Sequence, residues 1–215
     1  MGRPLGRRNA NYDLRKAELI RALIPRLLAP DGQEASFREL ARSASVSTAT
    51  LRHYFDDRDG LVEEAMATMR ELGAPHIKRA GESEHGPPRE SLSWFLASLV
   101  KAWTEFGVGR MVGSGLAFGM HHQSLGPAFV NELLEPTLQS CEKRIARHVE
   151  RGELPEVDVR HAALALVTPV LLGLIHQDSL GGAACRPLDL DAFVADHLER
   201  WFLGWGGPAF SGARS

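Results

Sequence analysis

Apolar residues recur three and four positions apart along most of this chain, and no stretch alternates apolar and polar residues as a half-buried strand would. The spacing predicts nine helices. The first covers about 13–28, with Ala17, Ile20, Leu23, Ile24, Leu27 and Leu28 on one stripe and Pro25 as a source of a kink. Two short helices share 36–55. A fourth runs about 57–80 and carries Leu61, Val62, Ala65, Met66 and Met69 inward. The segment 81–88, GESEHGPP, reads as a linker. A fifth helix begins near Pro88. A sixth, about 108–122, is punctuated by glycines. A seventh covers 126–151, bent or restarted at Pro136. An eighth, capped by Asp158, is apolar nearly all round over 162–175. A ninth, capped by Asp191, carries Phe193, Val194, Leu198, Trp201, Phe202 and Trp205. Residues 1–11 are rich in Arg and Gly and read as a disordered arm, suited to lie along phosphates or to act as a solubilising tail. The tail from Gly206 reads as frayed.

The stretch 36–55, SFRELARSASVSTATLRHYF, carries the most information. Ser36 and Glu39 have capping-box spacing, and Phe37, Leu40 and Ala41 form an apolar face. Ser43, Ala44 and Ser45 supply a turn. Ser47 is placed to cap the next helix, with Val46 and Leu51 as a hydrophobic staple. Leu51 and Phe55 then point inward, while Thr48, Ala49, Arg52 and His53 share the opposite face. Hydroxyls and one guanidinium at the start of a second helix suit phosphates and guanine edges in a major groove. Any two-helix hairpin needs caps and an apolar face, so the pattern alone leaves a purely structural motif open.

The order of residues says more. Ala41-x-x-Ala44-x-Val46-Ser47-x-x-Thr50-Leu51-x-x-x-Phe55-x-x-Arg58-x-x-Leu61 resembles the N-terminal domain of TetR-family transcriptional regulators, which is written A-x-x-A-G-V-S-x-G-T-L-Y-x-H-F-x-x-K-x-x-L. The likeness covers residues 13–69. Four positions depart from it: Ser45 stands at the turn glycine, Ala49 at a second glycine, Arg52 at a phosphate-binding tyrosine and Arg58 at a lysine. Ser45 would be strained in a left-handed turn, and the Ala49 methyl could meet a thymine. The resemblance implies an all-α fold: a three-helix helix-turn-helix head over 1–60, a linking helix over 57–80 and a six-helix body over 81–215. It also implies double-stranded operator DNA as a partner, with Arg38, Ser47, Thr48, Ala49, Thr50, Arg52, His53, Tyr54 and Arg58 as the residues that meet it.

Net charge is only -2, but it is uneven. Residues 1–55 hold 10 Arg and Lys against 5 Asp and Glu, whereas 56–215 hold 15 against 22. A basic head on an acidic body fits a nucleic-acid contact at one end. The two cysteines, Cys141 and Cys185, have no zinc spacing and make no disulfide framework, which fits a reducing cytoplasm. The N-terminus lacks the apolar core of a signal peptide, and the longest apolar run, 162–175, falls short of the ~20 residues a bilayer needs.

Two surfaces of the body ask for partners. A helix apolar on all sides lies in a large core or in an interface. In the family resembled, the last two helices form a four-helix bundle with a second copy. Val167, Val170, Leu171, Leu174, Leu198, Trp201 and Trp205 are therefore the expected homodimer residues. The second surface is a cavity for a small, largely apolar effector, for which Trp94, Phe95, Trp103, Met111, Phe118, Phe129, Leu133, Leu172 and His176 are candidates; the same residues could simply fill a core. His121 and His122, adjacent on a helix, diverge by about 100° and cannot share a metal unaided. His176, Gln177 and Asp178 could orient an effector or finish a helix. The glycines at 107, 109, 113, 115 and 119 suit close packing or a switch. Cys141 sits on an apolar stripe as a packed thiol. No hydrolase, phosphate-loop, metalloprotease or dinucleotide motif is present, so neither catalysis nor a cofactor is expected. The expected function is a ligand-responsive repressor that binds a palindromic operator as a dimer, with an activator or an effector-independent regulator as the alternative.

Overall fold

The computed structural model describes residues 5–82 and 86–205, with side chains from Asn11 onward. Among these residues every regular element is helical: α1 Leu5–Leu27, α2 Phe37–Ser43, α3 Thr48–Phe55, α4 Arg58–Glu82, α5 Pro88–Glu105, α6 Val108–His121, α7 Leu125–Phe129, α8 Glu135–Glu150, α9 Val159–Leu174, α10 Gly182–Cys185 and α11 Leu190–Trp205. The residues form two compact units. One joins Met1–Leu72 to Ser114–Leu133, and the other joins Gly73–Gly113 to Leu134–Ser215.

In the first unit, Leu19, Ile20, Leu23 and Leu27 of α1 are buried with Leu40, Leu51, Phe55, Leu61 and Met66. These positions follow the three/four spacing, since residues so spaced share one helix face. The helix starts eight residues earlier than expected, so 5–10 continue α1 where a disordered arm was expected; residues 1–4 lie outside the described residues. Ser83, Glu84 and His85 of the expected linker also lie outside them, while Gly81 and Glu82 close α4 and Pro88 opens α5.

The expected seventh helix is three pieces. Between α7 and α8 the residues Val130–Leu134 make one wider π turn. Pro136 explains the restart: it has no N–H to bond back to Glu132, and at the first turn of α8 that loss costs nothing. A second π turn, Ile175–Ser179, extends α9. Together Val159–Ser179 span 21 residues, long and apolar enough to cross a membrane by length and composition. Leu166, Val167, Val170 and Leu174 on this stretch are nonetheless buried within the second unit. The cap of α11 is Asp189, which accepts from Ala192 N at 3.0 Å, and not Asp191, which lies in the first turn.

The second unit is built on α8 packed against α5 and α9. Arg160 of α9 meets Glu135 at 2.9 Å and Glu142 at 3.2 Å on α8. Arg144 is buried beside the rings of Trp94 and Phe95 and donates to the Ala80 carbonyl and to Ser91 Oγ. Burial pushes the Cys141 thiol up to about 12, so it packs as an apolar group and supplies no thiolate.

Candidate nucleic-acid interface

The two helices of 36–55 form with the caps that their spacing predicts. Ser36 Oγ accepts from Glu39 N, and Ser36 N donates to the Glu39 carboxylate at 2.8 Å. These bonds hold the Glu39 carboxyl below its ordinary range, the Ser36 hydroxyl first among the causes. Ser47 Oγ accepts from Thr50 N at 2.9 Å and opens α3. Between the helices Ser45 adopts φ 54°, the left-handed conformation for which glycine is suited. Val46 N closes the turn on Ala41 O at 3.0 Å.

Leu51 and Phe55 are buried, which anchors the inner side of α3. Its outer side is thereby presented: Ser47, Ala49, Arg52 and His53 are exposed, and Thr48, Thr50 and Tyr54 are half-buried. Arg38 and Arg42 on α2 are exposed as well. The exposed Arg52 guanidinium makes no hydrogen bond or ion pair among the described residues, so its five donors face solvent. Ser47 and Thr50 share a hydroxyl contact of 2.8 Å, which leaves each with capacity for an outside partner.

Arg58 is placed unlike the others in this set. It does not extend outward as a phosphate contact would. Its Nε donates to Ala35 O at 3.1 Å, and a terminal nitrogen donates to Gln33 O. The guanidinium lies 5.0 Å from the centre of the Phe118 ring. Burial pulls its pKa down from the usual value. The physical reason is the arginine itself: a planar fork reaches two carbonyls and a ring face that a lysine ammonium could not bridge.

Tyr12 is a residue that the sequence reading did not single out. Its hydroxyl donates to His53 O at 3.2 Å, and its ring lies 4.8 Å from Tyr54 and 5.5 Å from His53. It thereby clasps the C-terminal end of α3. The available signal was its position four before Lys16 and eight before Ile20, on the stripe side of α1.

The effector candidates are divided between the two units. Phe118, Phe129 and Leu133 are buried in the first unit. Phe95 and Trp103 are buried in the second, and Trp94 and Met111 are half-buried there. Leu172, 65% exposed, and His176 face solvent, because the inner side of α9 is taken by Leu166, Val170 and Leu174. Trp103 Nε1 donates to Asp178 at 2.9 Å, while Gln177 holds Leu188 N at 2.8 Å and Arg186 O at 3.2 Å. Gln177 and Asp178 thus brace the end of α9. An open groove between α5 and α11 is lined by Arg89, Ser93, Trp94, Ala97, Ala195 and Leu198.

The expected dimer residues divide by exposure. Val167, Val170, Leu174, Leu198 and Trp201 are covered within their own chain, and Trp201 Nε1 donates to Ala162 O at 2.9 Å. Leu171 on α9 and Trp205 on α11 are half-buried, while Leu172 on α9 and Leu203 on α11 are 65% and 76% exposed. The division follows from the packing of α9 against α11, which covers their facing sides within the chain. His121 is exposed and its Nδ1 lies 2.9 Å from Ala117 O; His122 lies 3.6 Å from Asp59. Among the described residues no group of three His, Cys, Asp or Glu is close enough to hold a metal ion.

Comparison with known proteins agrees with this geometry. Residues 26–65 match the family described as bacterial regulatory proteins, tetR family. The transcriptional regulator BetI of Escherichia coli O45:K1 (strain S88) is 26% identical over 207 residues, covering 88% of this chain and 92% of its own. That of Shigella flexneri serotype 5b (strain 8401) is 29% identical over the same shares. A TetR-family regulator from Mesorhizobium loti has the same fold, with TM-score 0.72 and 18% identity over 90% of this chain and 98% of its own. FadR from Bacillus subtilis, solved with stearoyl-CoA, aligns with TM-score 0.63 and 16% identity over 85% of this chain and 95% of its own. These relatives are transcriptional regulators and not enzymes.

Proposed function

The chain belongs to the TetR family of bacterial transcriptional regulators, and from that premise we propose that it binds duplex DNA through the outer face of α3 as a homodimeric repressor. One observation carries the reading. Ser47, Ala49, Arg52 and His53 are exposed on a helix whose other side is fixed by buried Leu51 and Phe55, with Arg38 and Arg42 exposed on the helix before it. Two copies would present two such helices to successive major grooves, so the site read is an inverted repeat. A small, largely apolar molecule bound in the body favours a spacing of the two heads that no longer fits, so effector and operator weaken each other's binding. The stearoyl-CoA held by the FadR relative supports an apolar effector. The protein works in the cytoplasm and needs no membrane.

Selection from a pool of random duplexes tests the reading. We expect the wild-type chain to enrich an inverted repeat, and Arg52→Ala to bind that repeat about 1–3 kcal/mol more weakly with an unchanged melting temperature. A pool that stays random, or a folded Arg52→Ala with wild-type affinity, overturns it. Loss of the gene should raise transcription from the promoter that carries the repeat.

A further inference from the structure

We propose that Arg58 is a positioning residue of the DNA-reading head: together with Phe118 it fixes the loop that launches α2, and through it the pose of α3. The inference rests on the DNA-binding reading above and assigns a role that a charge at this position would not suggest.

Arg58 is the first residue of α4. A cation there opposes the positive end of the helix dipole, so the helix itself gains nothing from it. The need for a negative or polar cap is met by Asp57, whose Oδ1 accepts from Gly60 N at 2.9 Å. The guanidinium turns instead to the loop between α1 and α2. That loop spends its own amide donors on the carbonyls of Ala29, Asp31 and Gly32. Arg58 takes the carbonyls of Gln33 and Ala35. Ala35 immediately precedes Ser36, the cap of α2. Ala35 is buried, and a buried carbonyl without a partner is costly, so the end of the loop keeps this shape through Arg58; the exposed Gln33 carbonyl adds a second anchor for the fork.

Arg58 is itself held. The ring of Phe118, 3% exposed, lies under its guanidinium. The neighbouring Asp59 accepts from Ser124 Oγ at 2.7 Å. All of these residues belong to the first compact unit. The fork, the two carbonyls and the ring make one rigid chain from α6 to the start of α2. Phe118 therefore acts on DNA reading and not as part of an effector cavity.

The test uses the full chain, a fluorescein-labelled duplex enriched from a random pool by the wild type, and a potassium chloride series. Arg58→Lys keeps the charge and loses the fork. We expect it to bind the duplex at least about tenfold more weakly, with the wild-type dependence of affinity on salt. Phe118→Leu should weaken binding in the same way, and the double variant should be little worse than Arg58→Lys alone, as for residues acting through one contact. Wild-type affinity in Arg58→Lys would overturn the proposal, as would a salt slope reduced by about one in Arg58→Met, the mark of a lost phosphate contact. In the free protein, amide exchange at 36–43 should quicken in Arg58→Lys, and unchanged protection there overturns the proposal without any DNA. A wild type that enriches no duplex removes the DNA-binding reading itself, and this role with it.

Discussion

Ser45 is held at φ 54° in the turn between α2 and α3, and a non-glycine residue in that conformation costs about 1–2 kcal/mol. The turn persists because its neighbours over-determine it: Ala44, Ser45 and Val46 each donate back to carbonyls of α2. Ser45→Gly should therefore stabilise the chain by up to about 1 kcal/mol, part of the gain being offset by the extra freedom of glycine when unfolded. Urea unfolding measures it, and a lower midpoint for the glycine variant would show that the turn carries no strain. This position was legible before the structure, since the strain follows from local chain geometry. So were Ser36, Glu39 and Ser47, whose bonds run to residues three positions away. Arg58 was not, because its partners lie 23 and 25 positions before it and 60 after. Nothing in the local pattern tells an outward arginine from an inward one.

Helix boundaries followed the pattern at Asp158 and Pro88, where a cap and a proline set them, but at α11 the pattern chose Asp191 over the true cap, Asp189, two residues earlier. The pattern could not show the π turn at Val130–Leu134, because a wider turn keeps nearly the same apolar spacing. The glycines of α6 show the same limit. Their number was plain in the sequence, but what each one faces depends on tertiary packing. A Cβ on Gly115 would stand 2.7 Å from the Phe129 ring and 2.9 Å from Leu133; one on Gly109 would strike the Trp103 indole. Gly115 is thus required by close packing. Gly115→Ala should lower thermal stability by about 1–3 kcal/mol, as overpacking does, despite the better helix propensity of alanine. A melting temperature at or above wild type would mean that helix propensity governs this segment. Gly113 has more room, with Ser179 Oγ as its nearest neighbour at 3.2 Å, and its alanine variant should be the milder of the two.

For the whole molecule, an apolar pattern all round a helix cannot say which side a second copy covers. Exposure can. Trp201, 3% exposed, belongs to its own chain, so Trp201→Glu should unfold the protein and say little about assembly. Leu172→Glu with Leu203→Glu changes only exposed positions, and should leave the melt of the monomer intact while halving the mass seen by light scattering. A dimer that survives both substitutions would place the interface elsewhere. The basic N-terminal quarter, the acidic remainder and the exposed face of α3 all bear on one claim, that this chain is a DNA-binding protein. The salt dependence of wild-type binding to its selected duplex tests that claim most directly. Each phosphate neutralised should steepen the fall of log affinity against log salt by about 0.9, so several contacts predict a loss of 10³-fold or more between about 50 and 200 mM. Binding that is flat across that range, or absent at its lower end, would contradict it.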